Sequence, residues 1–272
     1  MTTSQLGSQS AHLPITRGLT VAYALSLVIT LLMVIASVIG LLYQTTVYPT
    51  EELRNWLVAN DAFNLLVGLP FLLVPMWLAW RGKLIGLLCW PGALFYVLYI
   101  YLAYVIAVPF GILFLPHLLL ATMSAYSLIA LVASIDGDTV RRRLVGTVPA
   151  RTTGGILVAL AMLIILRQIA LIASALLSQS SPSSAELAQW VDDFAVACPA
   201  LLAVGVEVWQ RKALGYVGGA GLLLAYMALA LSLLPTMLIA SPVDVGGVIV
   251  VVIMAALCAA PFAFFVRGSV SS

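Results

Sequence analysis

Residues 84–135 read LIGLLCWPGALFYVLYIYLAYVIAVPFGILFLPHLLLATMSAYSLIALVASI, 52 positions without one Asp, Glu, Lys or Arg. A helix rises 1.5 Å per residue, so crossing a bilayer takes about 20 mostly apolar residues. This stretch is long enough for two crossings. Pro109 and Gly111 favour a tight turn, which predicts the break near Ala107–Gly111. The rest of the chain agrees with this reading. Of its 272 residues, 63% are hydrophobic and 8% charged, where a soluble domain carries roughly a quarter charged residues. Mean hydropathy is +1.15. Lipid is the natural solvent, and the expected class is an all-α polytopic integral membrane protein.

Outward from this stretch, other weakly charged apolar runs predict spans at 18–43, 62–80, 154–177, 193–209, 213–234 and 245–266, which makes eight transmembrane helices. The run after Arg17 is too long for the apolar part of a cleaved signal peptide. With the N-terminus in the cytoplasm, the inner loops hold Arg17, Arg81, Lys83, Arg141, Arg142, Arg143, Arg151, Arg211, Lys212 and Arg267. The outer side holds one base, Arg54, with Glu51, Glu52, Asp61, Glu186, Asp192, Asp193 and Asp244. This is a positive-inside pattern. Six or seven spans would place basic clusters on both faces. The expected protein crosses the cell membrane eight times with both termini cytoplasmic. Its expected parts are a disordered tail (1–16), a four-helix unit (17–135), a basic loop (136–153), a second four-helix unit (154–267) and a tail (268–272).

The two halves resemble each other. Glu52, Leu53 and Trp56 match Glu186, Leu187 and Trp190, and after an insertion Pro70, Trp80, Lys83, Gly86 and Gly92 match Pro199, Trp209, Lys212, Gly215 and Gly221. Both copies start on the same side, so a 4+4 parallel repeat about the membrane normal is expected. Ser183 and Glu186 have capping-box spacing, and acids in a first helical turn offset the helix dipole. Trp56 and Trp190 are expected as headgroup-level anchors. Gly215 and Gly219, with Gly218 and Gly221, make a smooth face for packing inside the bundle or, alternatively, between two copies.

The run GLPFLLVPMWLAWRGKLIGLLCWPG resembles a family of uncharacterised bacterial multi-pass membrane proteins. In that family a helix begins with Asp, reaches G-L-P, then W-L-A-R-R-G and W-P-G. A later segment has Asp six residues before Pro, followed by Trp and basic residues; here these are Asp193, Pro199, Trp209, Arg211 and Lys212. Asp61 and Asp193 fall on the family's two aspartates. Trp190 stands where the family often has His. The resemblance covers roughly residues 60–235 and implies architecture, not activity.

Few polar residues fall within the spans. Arg167, in LIILRQIALI, is the most telling. An Arg at mid-span costs about 2.5–3.5 kcal/mol on insertion scales. Its side chain can snorkel toward the outer surface, where Asp61, Asp192 and Asp193 lie. One expectation is an outward-facing polar pocket with Arg167 at its floor, Asp61 and Asp193 at its wall, and Asn64 and Asp192 beside them. The other is a static ion pair that sets helix register. Glu207 and Arg211 are spaced for an i,i+4 pair. His117, the only histidine within a span, is expected to be hydrogen-bonded, since a bis-histidine haem needs two. Cys89, Cys198 and Cys258 lie singly in apolar runs and are expected as small buried side chains.

Several activities find no support. Asp136-Gly137 and Arg141 begin like a CDP-alcohol phosphotransferase motif, but no metal-holding aspartates follow on the next helix. Glu51-Glu52 and Arg54 are too close together, and on the wrong face, for a CAAX-type protease. H-E-x-x-H and the phosphate-binding G-x-x-x-x-G-K-[ST] are absent from the sequence. No catalytic residue, metal or cofactor is implied. Three readings follow: a protein that binds or moves a small solute or lipid, a scaffold or accessory subunit of a membrane complex, and, least favoured, a membrane enzyme. Expected partners are membrane lipids, with anionic lipid at Arg141, Arg142 and Arg143, a small solute, and a second copy of the chain; nucleic acid is not expected. Reporter fusions after Arg143 and after Lys212 are expected on the same, cytoplasmic surface. Opposite surfaces would overturn the eight-span topology.

Overall fold

A computed structural model describes residues 13–239 and 245–270. It contains helices α1 (Thr20–Leu42), α2 (Gln44–Val47), α3 (Glu51–Phe63), α4 (Leu69–Trp80), α5 (Leu84–Ala107), α6 (Phe114–Ala133), α7 (Gly137–Leu144), α8 (Ala150–Ser178), α9 (Ser184–Asp192), α10 (Cys198–Trp209), α11 (Ala213–Ile239) and α12 (Val245–Val270). There is no strand among the described residues, only two isolated bridges. Among the described residues, seven helical stretches are long and apolar enough to cross a membrane: α1, α3–α4, α5, α6, α8, α11 and α12. The all-α, membrane-embedded class is therefore as expected. The stretch α9–α10 does not belong to the seven. Asp244 lies outside the described residues.

The break between α5 and α6 falls where Pro109 and Gly111 predict it. The helix of the second span begins earlier than the hydropathy suggests, at Glu51 rather than Ala62. Thr50 caps it by accepting from the Leu53 amide at 3.2 Å, and Glu51 and Glu52 occupy its first turn. The second cap is a full capping box at Ser183 and Glu186. The Ser183 hydroxyl also donates to Glu52 at 2.8 Å, tying the two helix starts together.

Each of these helices widens into one π-helical turn, Asn64–Gly68 between α3 and α4 and Asp193–Ala197 between α9 and α10. The cause is local. Pro70 and Pro199 each follow such a turn by two residues. A proline inside a helix has no N–H to donate and crowds the carbonyl one turn back, and a wider turn relieves both problems. The two turns are 129 residues apart, the spacing of Pro70 from Pro199. The helix exits match at the same spacing. Gly82 has φ +74° and Arg211 φ +57°. The Lys83 amide donates to Leu78 O, and the Lys212 amide to Glu207 O, each at 2.9 Å.

Helix α5 is the axis of the bundle. Trp90, Tyr96, Tyr101 and Tyr104 on it are all but inaccessible, and it packs against α4, α6, α9 and α11. Its crossing with α11 is a backbone contact at Gly92 and Gly221. A β-carbon on Gly92 would lie 2.0 Å from Gly221 O, and one on Gly221 would lie 2.7 Å from Gly92 N. Gly215 abuts Val208 and Gly219 abuts Phe265, so the glycines of α11 serve packing within the bundle. Cys89, Cys198 and Cys258 are buried free thiols, as expected.

The expected tails and loop need correction. Residues 13–16 are ordered: Thr16 N donates to Ser134 O, and Asp136 N donates to Pro14 O, each at 2.8 Å. These bonds pair the segment with the α6–α7 connection; residues 1–12 lie outside the description. The basic loop folds into α7, whose Val140 and Leu144 turn inward. Helix α12 runs through Gly268 to Val270, so the expected C-terminal tail is largely helix.

Gly92→Ala and Gly221→Ala are expected to lower thermal stability in detergent by about 1–3 kcal/mol, the cost of overpacking a closed contact. Gly111→Ala should change little, because its nearest neighbour would be 3.7 Å away. A Gly92→Ala midpoint equal to the parent's would contradict the backbone contact.

Candidate functional site

The polar residues of the spans form two buried clusters on different faces of α5. The first surrounds Asp61, which is 1% exposed. Tyr48 Oη donates to Asp61 Oδ2 at 2.6 Å and Tyr104 Oη to Oδ1 at 3.0 Å. Asn60 Nδ2 donates to Tyr104 Oη at 3.3 Å, and the Ser37 and Tyr101 hydroxyls are 3.4 Å apart. Helix α1 can come this close only because residue 40 is glycine: a β-carbon there would lie 2.1 Å from Asp61 Oδ2. One turn on, Tyr96 Oη donates to Asn64 Oδ1 at 2.7 Å, while Asn64 Nδ2 is buried without a partner among the described residues.

The second cluster surrounds Asp193, in the π turn between α9 and α10. Tyr99 Oη donates to Asp193 Oδ1 at 2.8 Å, and Gln168 Nε2 donates to Oδ2. Tyr99 and Tyr104 are five residues apart, about 140° around a helix, which is why one helix serves both clusters. Asp192 is 1% exposed, and neither of its carboxyl oxygens has a hydrogen-bond partner among the described residues. Gln168 Oε1, Trp190 Nε1 and Tyr226 Oη are likewise buried and unpartnered there. An unmade hydrogen bond of this kind costs about 1–3 kcal/mol.

Several expectations are overturned here. Arg167 is exposed on the outer face of α8. Its charge acts on Asp193 through space, but it forms no ion pair with Asp61, Asp192 or Asp193. The next residue, Gln168, turns inward with Leu157, Leu160 and Ala161. One residue step is 100° around the helix, and a neutral amide is far cheaper to bury than a guanidinium. The single Arg-floored pocket is replaced by two clusters, and Asp61 and Asp193 do not share one wall. His117 is buried, but neither ring nitrogen has a hydrogen-bond partner among the described residues. Its ring packs on Tyr104 and Tyr101, with centroids 4.9 and 5.8 Å away. The Trp190 indole N–H is buried and has no hydrogen-bond partner among the described residues. Glu207 pairs with Lys212 at 3.2 Å and not with Arg211, because the left-handed Arg211 ends the helical register that an i,i+4 pair requires.

The residues that complete the clusters are tyrosines and an amide: Tyr48, Tyr96, Tyr99, Tyr101, Tyr104 and Gln168. Tyrosine belongs at membrane interfaces, so the mid-span run Tyr96-Val97-Leu98-Tyr99-Ile100-Tyr101 was the readable signal. No signal of that kind marks Gln168 over Arg167.

Gln168→Ala is expected to destabilise the protein in detergent by about 1–3 kcal/mol, by leaving Asp193 with an unmatched buried oxygen. Arg167→Ala should fall within about 0.5 kcal/mol of the parent, as exposed substitutions do. The reverse order would restore the arginine as the partner of Asp193. No family model, curated protein or solved structure matches the chain.

Proposed function

We propose that the protein crosses the membrane eight times as two parallel four-helix units and binds or moves a small cation, the proton included, at the buried carboxyls of its outer half. The observation that carries this reading is that these carboxyls have no ion-paired base among the described residues. Asp61, Asp192 and Asp193 are at most 6% exposed. The two side-chain ion pairs described, Arg141–Asp138 and Lys212–Glu207, lie elsewhere. A lone carboxylate in a low-dielectric interior costs several kcal/mol, and a proton or bound cation removes that cost. Ionisable groups inside a bilayer mark ion and substrate paths more often than scaffolding. With Arg167 turned outward, an anion loses its docking group, and the unpartnered oxygens of Asp192 favour a cationic solute.

The architecture has its own support. The paired caps, the two π turns and the equivalent helix exits favour the 4+4 repeat. The stretch α9–α10 runs from the Ser183–Glu52 end to the end where Arg211 meets Arg141, as a span would. Basic residues at that end favour a cytoplasmic orientation for it. The resemblance to the bacterial membrane family belongs to this proposal: its G-L-P is the end of the first π turn, and its W-P-G includes the Gly92 crossing.

The test is flux in proteoliposomes under a potassium diffusion potential. Entrapped pyranine reports protons, and labelled sodium and methylammonium report other cations. At least one probe is expected to enter faster than into protein-free vesicles. Asp61→Asn or Asp193→Asn should bring that rate to baseline with an unchanged gel-filtration profile. If the parent protein moves and binds none of the three, the reading falls.

A further inference from the structure

At the arginine-bearing end two features draw on neighbouring stretches of the chain. One is a basic pocket of about 380 Å³ formed by Arg141, Arg142, Val145 and Arg211. The other is an apolar cleft of about 400 Å³ between α5–α6 and α10–α11, with Phe95, Ile129, Ala133, Val204, Leu214 and Leu222 in its lining. Ile129 is 65% and Leu214 45% exposed, so the cleft faces outward from the bundle, toward the surrounding bilayer. The α10–α11 turn contributes Arg211 to the pocket, and the start of α11 contributes Leu214 to the cleft. Leu214, Gly218 and Leu222 line the cleft at four-residue steps, and Arg211 precedes Leu214 by three residues. Helix α7 rests on the same turn: a β-carbon on Gly137 would lie 3.0 Å from that of Ala213.

The arginines are held in place for this pocket. Arg142 Nη2 donates to Thr139 Oγ1 at 2.8 Å, and Thr139 Oγ1 donates to Asp136 Oδ2 at 2.6 Å. The Thr139 hydroxyl and amide keep the Asp136 carboxyl below the usual carboxylate range, so this brace stays anionic. Arg141 lies 3.4 Å from the exposed Asp138, which offsets one of the charges. Arg211 keeps φ +57°, where the matching position of the first half is Gly82. A side chain with a β-carbon is disfavoured there, and this position aims a guanidinium into the pocket. Lys212 takes the nearby carboxylate of Glu207. Arg143, expected as part of the basic patch, is not in the pocket's lining.

We infer that pocket and cleft together form one binding site for a phospholipid with an anionic headgroup. Its phosphate and headgroup oxygens meet the guanidinium forks of Arg141, Arg142 and Arg211, and one acyl chain fills the cleft. Arg forks match phosphate oxygens two at a time. A soluble phosphate would satisfy the arginines but leave the cleft empty. Only a lipid brings both parts, and the cleft opens where lipid is. The site requires a bilayer around the helices and does not depend on what the carboxyl clusters bind.

The test is thermal unfolding of the delipidated protein in neutral detergent, titrated with phosphatidylglycerol, phosphatidylcholine, inorganic phosphate or glycerol 3-phosphate. Phosphatidylglycerol should stabilise at concentrations at least about tenfold below those at which phosphatidylcholine does. Arg211→Gln and Arg142→Gln should each raise the required concentration about fivefold, the weight of one arginine near an anionic headgroup. Lys83→Gln removes the same charge from the same end, outside the site, and should change nothing. Ala133→Phe fills the cleft from an exposed position; it should leave the lipid-free midpoint unchanged and abolish the response to phosphatidylglycerol. Equal responses to the two phospholipids overturn the inference. So does equal stabilisation by inorganic phosphate or glycerol 3-phosphate, which would mark a soluble-anion site. An unchanged lipid response in Ala133→Phe would reduce the site to a charged surface without an acyl chain. Should Ala133→Phe shift the lipid-free midpoint, Leu214→Phe makes the same test from the opposite wall.

Discussion

Where α5 and α11 cross, Gly92 and Gly221 meet backbone to backbone. In lipid, helices gain nothing from hiding apolar side chains from water, so close van der Waals contact is a main source of cohesion. Two glycines at one crossing allow the closest approach. That approach puts α5 at the centre, with the first half on one side and the second on the other. Tyr104 then reaches Asp61 within the first half, and Tyr99 reaches Asp193 across the boundary. The apolar cleft is bounded by the same two helices and includes Gly92 in its wall.

The charges divide between the two ends. Toward the Ser183–Glu52 end, carboxyls are buried among hydroxyls and amides and lack a contact with a base. Toward the other end, arginines stand exposed beside an apolar cleft, and acids such as Asp136 and Asp138 steer or offset them. Buried carboxyls without an ion-paired base suit a cation that comes and goes, because a permanent salt bridge would occupy them. Exposed arginines next to an acyl-chain-sized cleft suit a ligand that stays, anchored by charge at one end and by packing along its length. The α5–α11 contact lies between these two environments.

Much of the site was legible in part. Asp61, Asn64, Asp192 and Asp193 stand out as polar residues at the edges of apolar runs, and all four are buried. Their partners did not stand out. Gln168 and Arg167 are neighbours, and which of them faces the core depends on how α8 is rotated against α10. Small residues set that rotation: a β-carbon on Gly154 would lie 2.5 Å from Gly205 O. Glu207 has bases four and five residues on. The left-handed turn at Arg211, rather than helical spacing, selected Lys212. The hydroxyls that reach Asp61 come from Tyr48, ahead of α3, and from Tyr104, 43 residues on, and no local pattern pairs them.

Properties that act over one helix length were determined by the sequence. Hydropathy over about 20 residues sets the solvent and the all-α class, Pro109 and Gly111 break the long apolar run, and Ser183 with Glu186 starts α9. Each of these depends on neighbours within a turn or within one span. The tertiary structure decided which polar side chains meet, which arginine faces outward, and which residues line the pocket and the cleft. Those outcomes depend on helix rotation and crossing depth. Contacts between residues as far apart as Gly92 and Gly221 set both, and the presence or absence of a single β-carbon there is enough to change them.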